Sequence, residues 1–169
     1  VGAVQVVEQF AFVLAFNAVL IAVLGLSVAR QMIFPMGFLF FAVPFGEFAI
    51  PHLMEFTAWF TVAAIELTGI PVYRDGYFLT IPKGDFEIAK ACSGIRYLIA
   101  SFSLGTLYAY LTYNSLSRRV AFVVFSLALP IFANGLRAYG IVMLAHLSDM
   151  RIAVGVDHII YGWLFFGVV

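Results

Sequence analysis

Charged residues are scarce in this chain: they make up 11% of its 169 residues, whereas 64% are hydrophobic. A soluble domain carries about 25% charged residues, because water must solvate its surface. A sequence with so little charge is typical of a protein whose main solvent is the lipid bilayer. The composition therefore predicts an integral membrane protein and argues against an ordinary soluble enzyme.

An excess of charge of either sign is also absent, since nine basic and nine acidic residues give a formal net charge of zero. Nucleic acids bind mainly to basic surfaces, so we expect no nucleic-acid partner. Cys92 is the single cysteine, which excludes an internal disulfide. No cluster of metal-ligating residues is visible in the sequence, and we expect neither a metal nor another cofactor.

The two ends of the chain indicate that it belongs to something longer. It begins at Val1 and not at a methionine, and it ends inside an apolar run, residues 163–169. We expect residues 1–169 to form a single membrane domain, a fragment of a longer chain with further transmembrane helices.

Two apolar runs lie in the first third of the chain. A helix that crosses a bilayer needs about 20 predominantly apolar residues. Residues 10–29 meet this length, and Arg30 ends the run. Residues 32–43 are too few by themselves, and Pro44 follows them, so they would cross only by continuing to about residue 50.

The next segment, residues 47–70, is long enough to cross but contains charges. An unpaired charge at the bilayer centre costs about 2.5–3.5 kcal/mol. We predict that this segment lies in the interface or packs against the helical bundle. The polar residues that lead to this prediction are Glu47, His52, Glu55 and Glu66.

A small antiparallel β-meander is predicted over residues 71–91. Asp75-Gly76 stands between two stretches rich in strand-forming residues, which is a strong hairpin signal. A second turn is predicted over residues 82–85.

Further spans are predicted over residues 93–113 and 120–136, with a short polar loop between them. Residues 137–157 contain several charges and are predicted to run along the surface before a last span begins near His158. The predicted fold is an all-α polytopic helical bundle with a small β-meander. The two spans return Arg137 to the face of Cys92, and His158 reaches that face if residues 137–157 do not cross.

Cys92, Arg137 and His158 together supply the groups that acyl transfer needs. Cys92 stands at a predicted helix N-terminus, which stabilises a thiolate, although a lone membrane cysteine is more often a small buried hydrophobe. Arg137 could hold a carboxylate or an oxyanion, or simply anchor the helix at the headgroups. His158 could act as a general base, or as a polar residue that begins a helix.

Three motifs carry a resemblance to a known family. They are Ala91-Cys92-Ser93-Gly94-Ile95-Arg96, Asn134-Gly135-Leu136-Arg137 and Asp157-His158. In this order they resemble the exosortase/archaeosortase family, and they are most similar to its proteobacterial exosortase A type.

The resemblance implies an inner-membrane cysteine protease or transpeptidase, often found with exopolysaccharide loci. It implies that Cys92, Arg137 and His158 are catalytic, and that the substrates are membrane-anchored proteins with a C-terminal PEP-CTERM sorting signal. It also places the site on the extracytoplasmic, periplasmic face, whereas the count of Lys and Arg favours the cytoplasmic face. The acceptor is either water or an unknown nucleophile.

Other functions are compatible with the same residues. The chain could be a non-catalytic membrane subunit of a polysaccharide export or transport assembly, in which Cys92 is only a buried side chain. A haem-bearing redox protein would need two histidines at a haem-binding spacing, which the sequence does not show. A serine enzyme using Ser93 would lack the Gly-x-Ser-x-Gly turn that exposes such a nucleophile.

Overall fold

The computed structural model describes residues 2–149, and within them it contains five α-helices and one three-stranded sheet. The chain forms two compact units, one comprising residues 1–46 and one that begins at Glu47. The predicted site residue His158 and the predicted last span lie outside the described residues. The predicted helical bundle with a small β-meander is confirmed.

The first unit is dominated by α1, Gly2–Gln31, which is apolar on all sides. Large side chains around its circumference are exposed, for example Val7 at 67%, Phe12 at 72% and Val23 at 76%. A helix without a polar face belongs either in a protein core or in lipid, and α1 is long and apolar enough to cross a membrane. Gly25 interrupts the helix with a φ of +78°, a conformation that glycine adopts without a Cβ clash.

The second helix of this unit is short. α2, Ile33–Phe38, continues as a 3₁₀ turn over Leu39–Ala42, after which Val43 is extended. These ten residues are about 15 Å long, half of a hydrocarbon layer of about 30 Å. The suggested continuation of a helix to residue 50 is therefore wrong, because the chain becomes extended at Val43, next to Pro44, where proline restricts the preceding residue.

The described part of the second unit contains three long helices: α3, Ile50–Leu67, α4, Ile95–Thr112, and α5, Leu116–Leu147. Pro51 stands in the first turn of α3, where its missing N–H costs nothing. Ser115 caps α5, because its hydroxyl accepts a hydrogen bond from the backbone N–H of Arg118 at 3.4 Å.

The continuity of α5 corrects the sequence prediction for residues 137–147. The helix passes through Arg137 without a break and reaches Leu147, a length of 32 residues or about 48 Å. The prediction ended the span at residue 136 because a charge follows. Arg137 is 7% exposed, and its Nη2 donates to Oδ1 of Asn134 at 3.1 Å, so its charge is held inside the protein and not in water.

Two helices pack against successive halves of α5. α4 lies antiparallel to the first half, where the Ser101 hydroxyl donates to the Ser126 carbonyl at 2.7 Å. α3 lies parallel to the second half, because the numbers of contacting residues increase in the same direction in both helices. The pairs are Phe56 with Phe132, Thr57 with Asn134, and Phe60 with Gly135. The middle of α5 is therefore where all three helices meet.

The β-meander connects α3 to α4 and confirms the predicted sheet. Its strands, β1 Tyr73–Asp75, β2 Phe78–Ile81 and β3 Gly84–Glu87, pair antiparallel in chain order. Gly76 occupies the first central position of the two-residue hairpin loop with a φ of +60°, as a type II′ turn requires. Along β2, Leu79 and Ile81 are buried and join the apolar clusters that include residues of α3.

Within residues 2–149, three helical segments are long and apolar enough to cross a membrane: Val4–Gln31, Glu47–Leu67 and Leu116–Leu147. α3 packs against α5, which agrees with one of the two placements predicted for the segment 47–70, whereas its not crossing the membrane stays a prediction. Its composition nevertheless also allows it to cross. α4, predicted as a span over residues 93–113, is not among the three.

Candidate active site

Cys92 lies in a 3₁₀ turn, Lys90–Ser93, that links the sheet to α4. Its backbone N–H donates to the Ala89 carbonyl at 2.8 Å, which closes the turn. Cys92 is 7% exposed and belongs to a buried cluster with Ala58, Leu79 and Ile88. The sequence predicts Cys92 at a helix N-terminus, and the structure places it three residues before Ile95, the first residue of α4.

Gly94 is the N-cap of α4, and it must be a glycine for two reasons. Its φ of +74° lies in the left-handed region that other residues rarely adopt. A Cβ at this position would also stand 2.8 Å from Cγ of Asn134. The turn that carries Cys92 therefore approaches α5 as closely as a backbone without a side chain allows.

Asn134 occupies the space that Gly94 leaves. It is 2% exposed, and its amide Nδ2 donates to the Cys92 carbonyl at 2.7 Å and to Oγ1 of Thr57 at 3.0 Å. The side chain thus joins the middle of α5 to the cysteine turn and to α3. Buried amides of this kind are stable only when their polar atoms have partners.

Arg137 follows Asn134 by one helical turn and lies on the same face of α5. Its Nη2 donates to Oδ1 of Asn134 at 3.1 Å, and the side chain is buried. The Arg137 guanidinium and the backbone carbonyl of Cys92 are therefore bonded to the same side chain. The third predicted residue, His158, lies outside the described residues, as does Asp157.

Ion pairs fasten the sheet to the surrounding helices. On one side Arg74 contacts Glu55 of α3 at 2.6 Å. On the other, Lys83 Nζ donates to Oδ1 of Asp149 at 2.5 Å and to the backbone carbonyl of His146 at 2.9 Å. The hydrogen bond and the positive charge of Lys83 lower the pKa of the Asp149 carboxyl below its ordinary value of 3.8, with a smaller contribution from His146.

The other two histidines stand apart from the Cys92–Asn134–Arg137 cluster in the contacts they make. His52 is exposed in the first turns of α3. His146 lies in the last turn of α5, where its backbone carbonyl binds Lys83. Among residues 2–149, no group of three histidine, cysteine or carboxylate side chains is arranged to hold a metal ion.

Sequence reasoning did not identify the connecting roles of Asn134 and Thr57. Asn134 was part of a motif, and its spacing of three from Arg137 places both on one helical face, which is a usable signal. Thr57 is 77 positions from Asn134 along the chain. No local pattern marks a threonine inside an apolar helix as the partner of so distant a residue.

The comparison with known families gives one match. The family model described as transmembrane exosortase matches residues 1–169. No curated protein and no solved structure matches the chain. The match is to the family as a whole, so similarity to the exosortase A type stays a prediction.

Proposed function

Because the chain belongs to the transmembrane exosortase family, we propose that this membrane protein is a cysteine protease or transpeptidase with Cys92 as its nucleophile. Its substrates are membrane-anchored proteins that carry a C-terminal PEP-CTERM sorting signal. The observation that supports this best is the buried hydrogen-bond chain from Cys92 through Asn134 to Arg137. It joins the backbone of the cysteine turn to a buried cation from a distant part of the sequence.

The reaction begins when His158 accepts the proton of the Cys92 thiol. The thiolate attacks the carbonyl carbon of the scissile peptide, and a C–S bond forms while the carbonyl oxygen becomes an oxyanion. His158 then gives the proton to the leaving nitrogen as the C–N bond breaks. Water or an acceptor nucleophile attacks the resulting thioester, which releases the product and restores the thiol.

Arg137 stabilises the oxyanion in this mechanism. Its guanidinium carries a fixed positive charge, and the Nη2 group donates to Oδ1 of Asn134. The group is buried, so its charge acts through a medium that screens less than water does. A positive group held in place before the reaction needs no reorganisation when the negative charge develops.

The open edges of the sheet indicate its position relative to the membrane. Unpaired backbone groups of a sheet edge do not occur in contact with lipid hydrocarbon. The sheet packs on α3 through Leu79 and Ile81, so we place this region at the water–headgroup level. About 20 residues of α5 counted from Leu116 cross the hydrocarbon and end near Arg137.

We place this level on the extracytoplasmic, periplasmic side of a bacterial inner membrane. A substrate held by its own transmembrane helix would then present its sorting signal next to Cys92. Confinement of both partners to one bilayer removes much of the entropic cost of bringing them together.

The test is co-expression with reporter proteins that carry a panel of PEP-CTERM tails, followed by the mass of each reporter. Wild type is compared with Cys92→Ala and with Ser93→Ala. Ser93 is the matched control, since it is adjacent to Cys92, equally buried, and carries the only other nucleophilic side chain in the motif. We expect wild type and Ser93→Ala to remove the tail and Cys92→Ala to retain it.

Different outcomes separate the candidate functions. Tail removal by Cys92→Ala would show that the nucleophile is wrongly assigned, and loss in Ser93→Ala alone would point to a serine enzyme. If wild type leaves every tail in place, the proposed substrate class is wrong. The burial of Cys92 also fits the second candidate, a non-catalytic membrane subunit, in which Cys92→Ala would have no effect on the function of its assembly.

A further inference from the structure

We propose that Asn134 is a positioning residue that holds the Cys92 turn and the Arg137 guanidinium at a fixed separation. The inference rests on the proposed function, because it assigns a task to Asn134 only if Cys92 and Arg137 act on a substrate. Asn134 itself acts through these two residues, and its side chain is bonded to both.

The orientation of the Asn134 amide follows from its partners. The hydroxyl of Thr57 donates its only hydrogen to the Leu53 carbonyl at 2.7 Å. Its oxygen can therefore only accept from Asn134, and the Cys92 carbonyl can also only accept. Both hydrogens of the amide Nδ2 are thereby assigned, and Oδ1 is left to face the Arg137 guanidinium.

Packing fixes the same side chain independently of its hydrogen bonds. Gly94 stands so close that a methyl group on it would meet both Cγ and Cβ of Asn134, at 2.8 and 3.1 Å. Asn134 is only 2% exposed, so water cannot reach it to replace a lost hydrogen bond. Rotation of the amide would place its oxygen against the Cys92 carbonyl, with two acceptors facing each other.

The consequence is that one side chain sets the geometry between two different elements. Cys92 belongs to the turn before α4, and Arg137 belongs to α5, so no local backbone constraint relates them. A displacement of about 1 Å between reacting groups costs about 10²-fold in rate. Loss of this connection should lower kcat, and KM should change little if the substrate's own tail and helix provide most of the binding.

Asn134→Asp is the sharpest variant. The aspartate has the same shape and still offers an oxygen to Arg137, but it cannot donate to the Cys92 carbonyl or to Thr57. We expect kcat for tail removal to fall roughly 10- to 100-fold with little change in KM. Each rate is divided by the amount of protein in the membrane.

Thr57 provides a matched pair that leaves Asn134 unchanged. Thr57→Ser keeps the hydroxyl that accepts from Asn134, whereas Thr57→Val keeps the shape and removes the hydroxyl. We expect Thr57→Ser to retain the wild-type kcat, whereas the kcat of Thr57→Val should fall several-fold. If Asn134→Asp does not accumulate in the membrane, the two Thr57 variants test the positioning role of Asn134 in its place.

Cys92→Ala in the same assay separates the two proposals. If Cys92→Ala is active, the proposed function itself fails. If Cys92→Ala is inactive while Asn134→Asp and Thr57→Val both keep the wild-type kcat, only the positioning role is overturned. The role is also overturned if these variants reduce the amount of membrane protein but leave kcat per molecule unchanged, because Asn134 would then serve stability alone.

Discussion

The side-chain amide of Asn134 donates a hydrogen bond of 2.7 Å to the backbone carbonyl of Cys92, across 42 positions of sequence. The bond is buried, and it ties the turn before α4 to the middle of α5. Arg137 is bonded to the same asparagine from the next helical turn. The geometry of the candidate site therefore depends on one long-range polar contact and on the glycine that makes room for it.

Gly94→Ala should impair both stability and processing. The left-handed φ of +74° disfavours any Cβ by about 1–2 kcal/mol, and the overlap with Asn134 adds an overpacking cost of about 1–3 kcal/mol. We expect a lower Tm in detergent and a fall in tail removal that exceeds the loss of protein.

Gly69→Ala is the control for Gly94→Ala, because Gly69 has a φ of +78° and nothing within 4 Å of an added Cβ. Gly69→Ala should lower Tm through backbone strain alone, and its rate of tail removal per molecule should equal that of wild type. Equal rates for the two variants would contradict the close approach of the cysteine turn to Asn134.

Arg137→Lys should lower the rate of processing even though it keeps the positive charge. Lysine has a single point-like ammonium and lacks the planar fork, so it cannot bind Asn134 and an oxyanion with the same geometry. The loss of one oxyanion donor costs about 10²–10³-fold in kcat. Single-turnover rates on the reporter measure this, with Arg96→Lys as the control, since Arg96 is exposed one turn from the site. Full activity of Arg137→Lys would contradict the proposed role of Arg137 in stabilising the oxyanion.

Gly135→Ala should destabilise the contact between α3 and α5. An added Cβ would stand 2.7 Å from Cδ1 and 3.3 Å from Cβ of Phe60, so the ring cannot escape by a simple rotation. We expect a destabilisation of about 1–3 kcal/mol, seen as a lower Tm in detergent.

Gly140→Ala tests the same substitution in the same helix without the contact, because nothing lies within 4 Å of its added Cβ. It should be neutral or stabilise the protein by up to about 1 kcal/mol, since alanine favours helix more than glycine does. A similar Tm for both variants would argue against the packing of Phe60 on α5.

The contact between Lys83 and Asp149 should weaken in acid. The folded-state pKa of Asp149 is below 3.8, so its contribution to stability is fully present above that value and is lost as the pH falls through the lowered pKa. Asp149→Asn should therefore lower Tm slightly at pH 7, and the difference from wild type should vanish in strong acid.

Lys83→Met serves as the comparison, since Lys83 also donates to the His146 carbonyl and this bond does not need a charged Asp149. It should lower Tm more than Asp149→Asn at pH 7. A Tm difference for Asp149→Asn that grows as the pH falls below 3.8 would show that the assigned ion pair is not the source.

The β-meander was predicted closely because its signal is local. Gly76 supplies the positive φ that the first position of the loop at residues 76–77 needs, one residue later than the predicted Asp75-Gly76 turn, and the flanking residues favour strands. The continuation of α5 past residue 136 was not predicted, because a charge in sequence indicates the end of a helix only if that charge reaches water. Arg137 instead reaches Asn134 inside the bundle, a contact that hydropathy does not reveal.

By itself the sequence determined that this is a helical membrane protein of its family, and it predicted the motif residues and the return of Cys92 and Arg137 to one face. These conclusions depend on composition, on helix length and on the order of spans, all of which are local or additive properties. Only the tertiary structure decided that α5 continues past Arg137, that α3 packs along its second half, and that Asn134 and Thr57 complete the cluster. Such contacts join residues far apart in the chain, and their selection depends on shape and hydrogen-bond geometry, which no single segment contains.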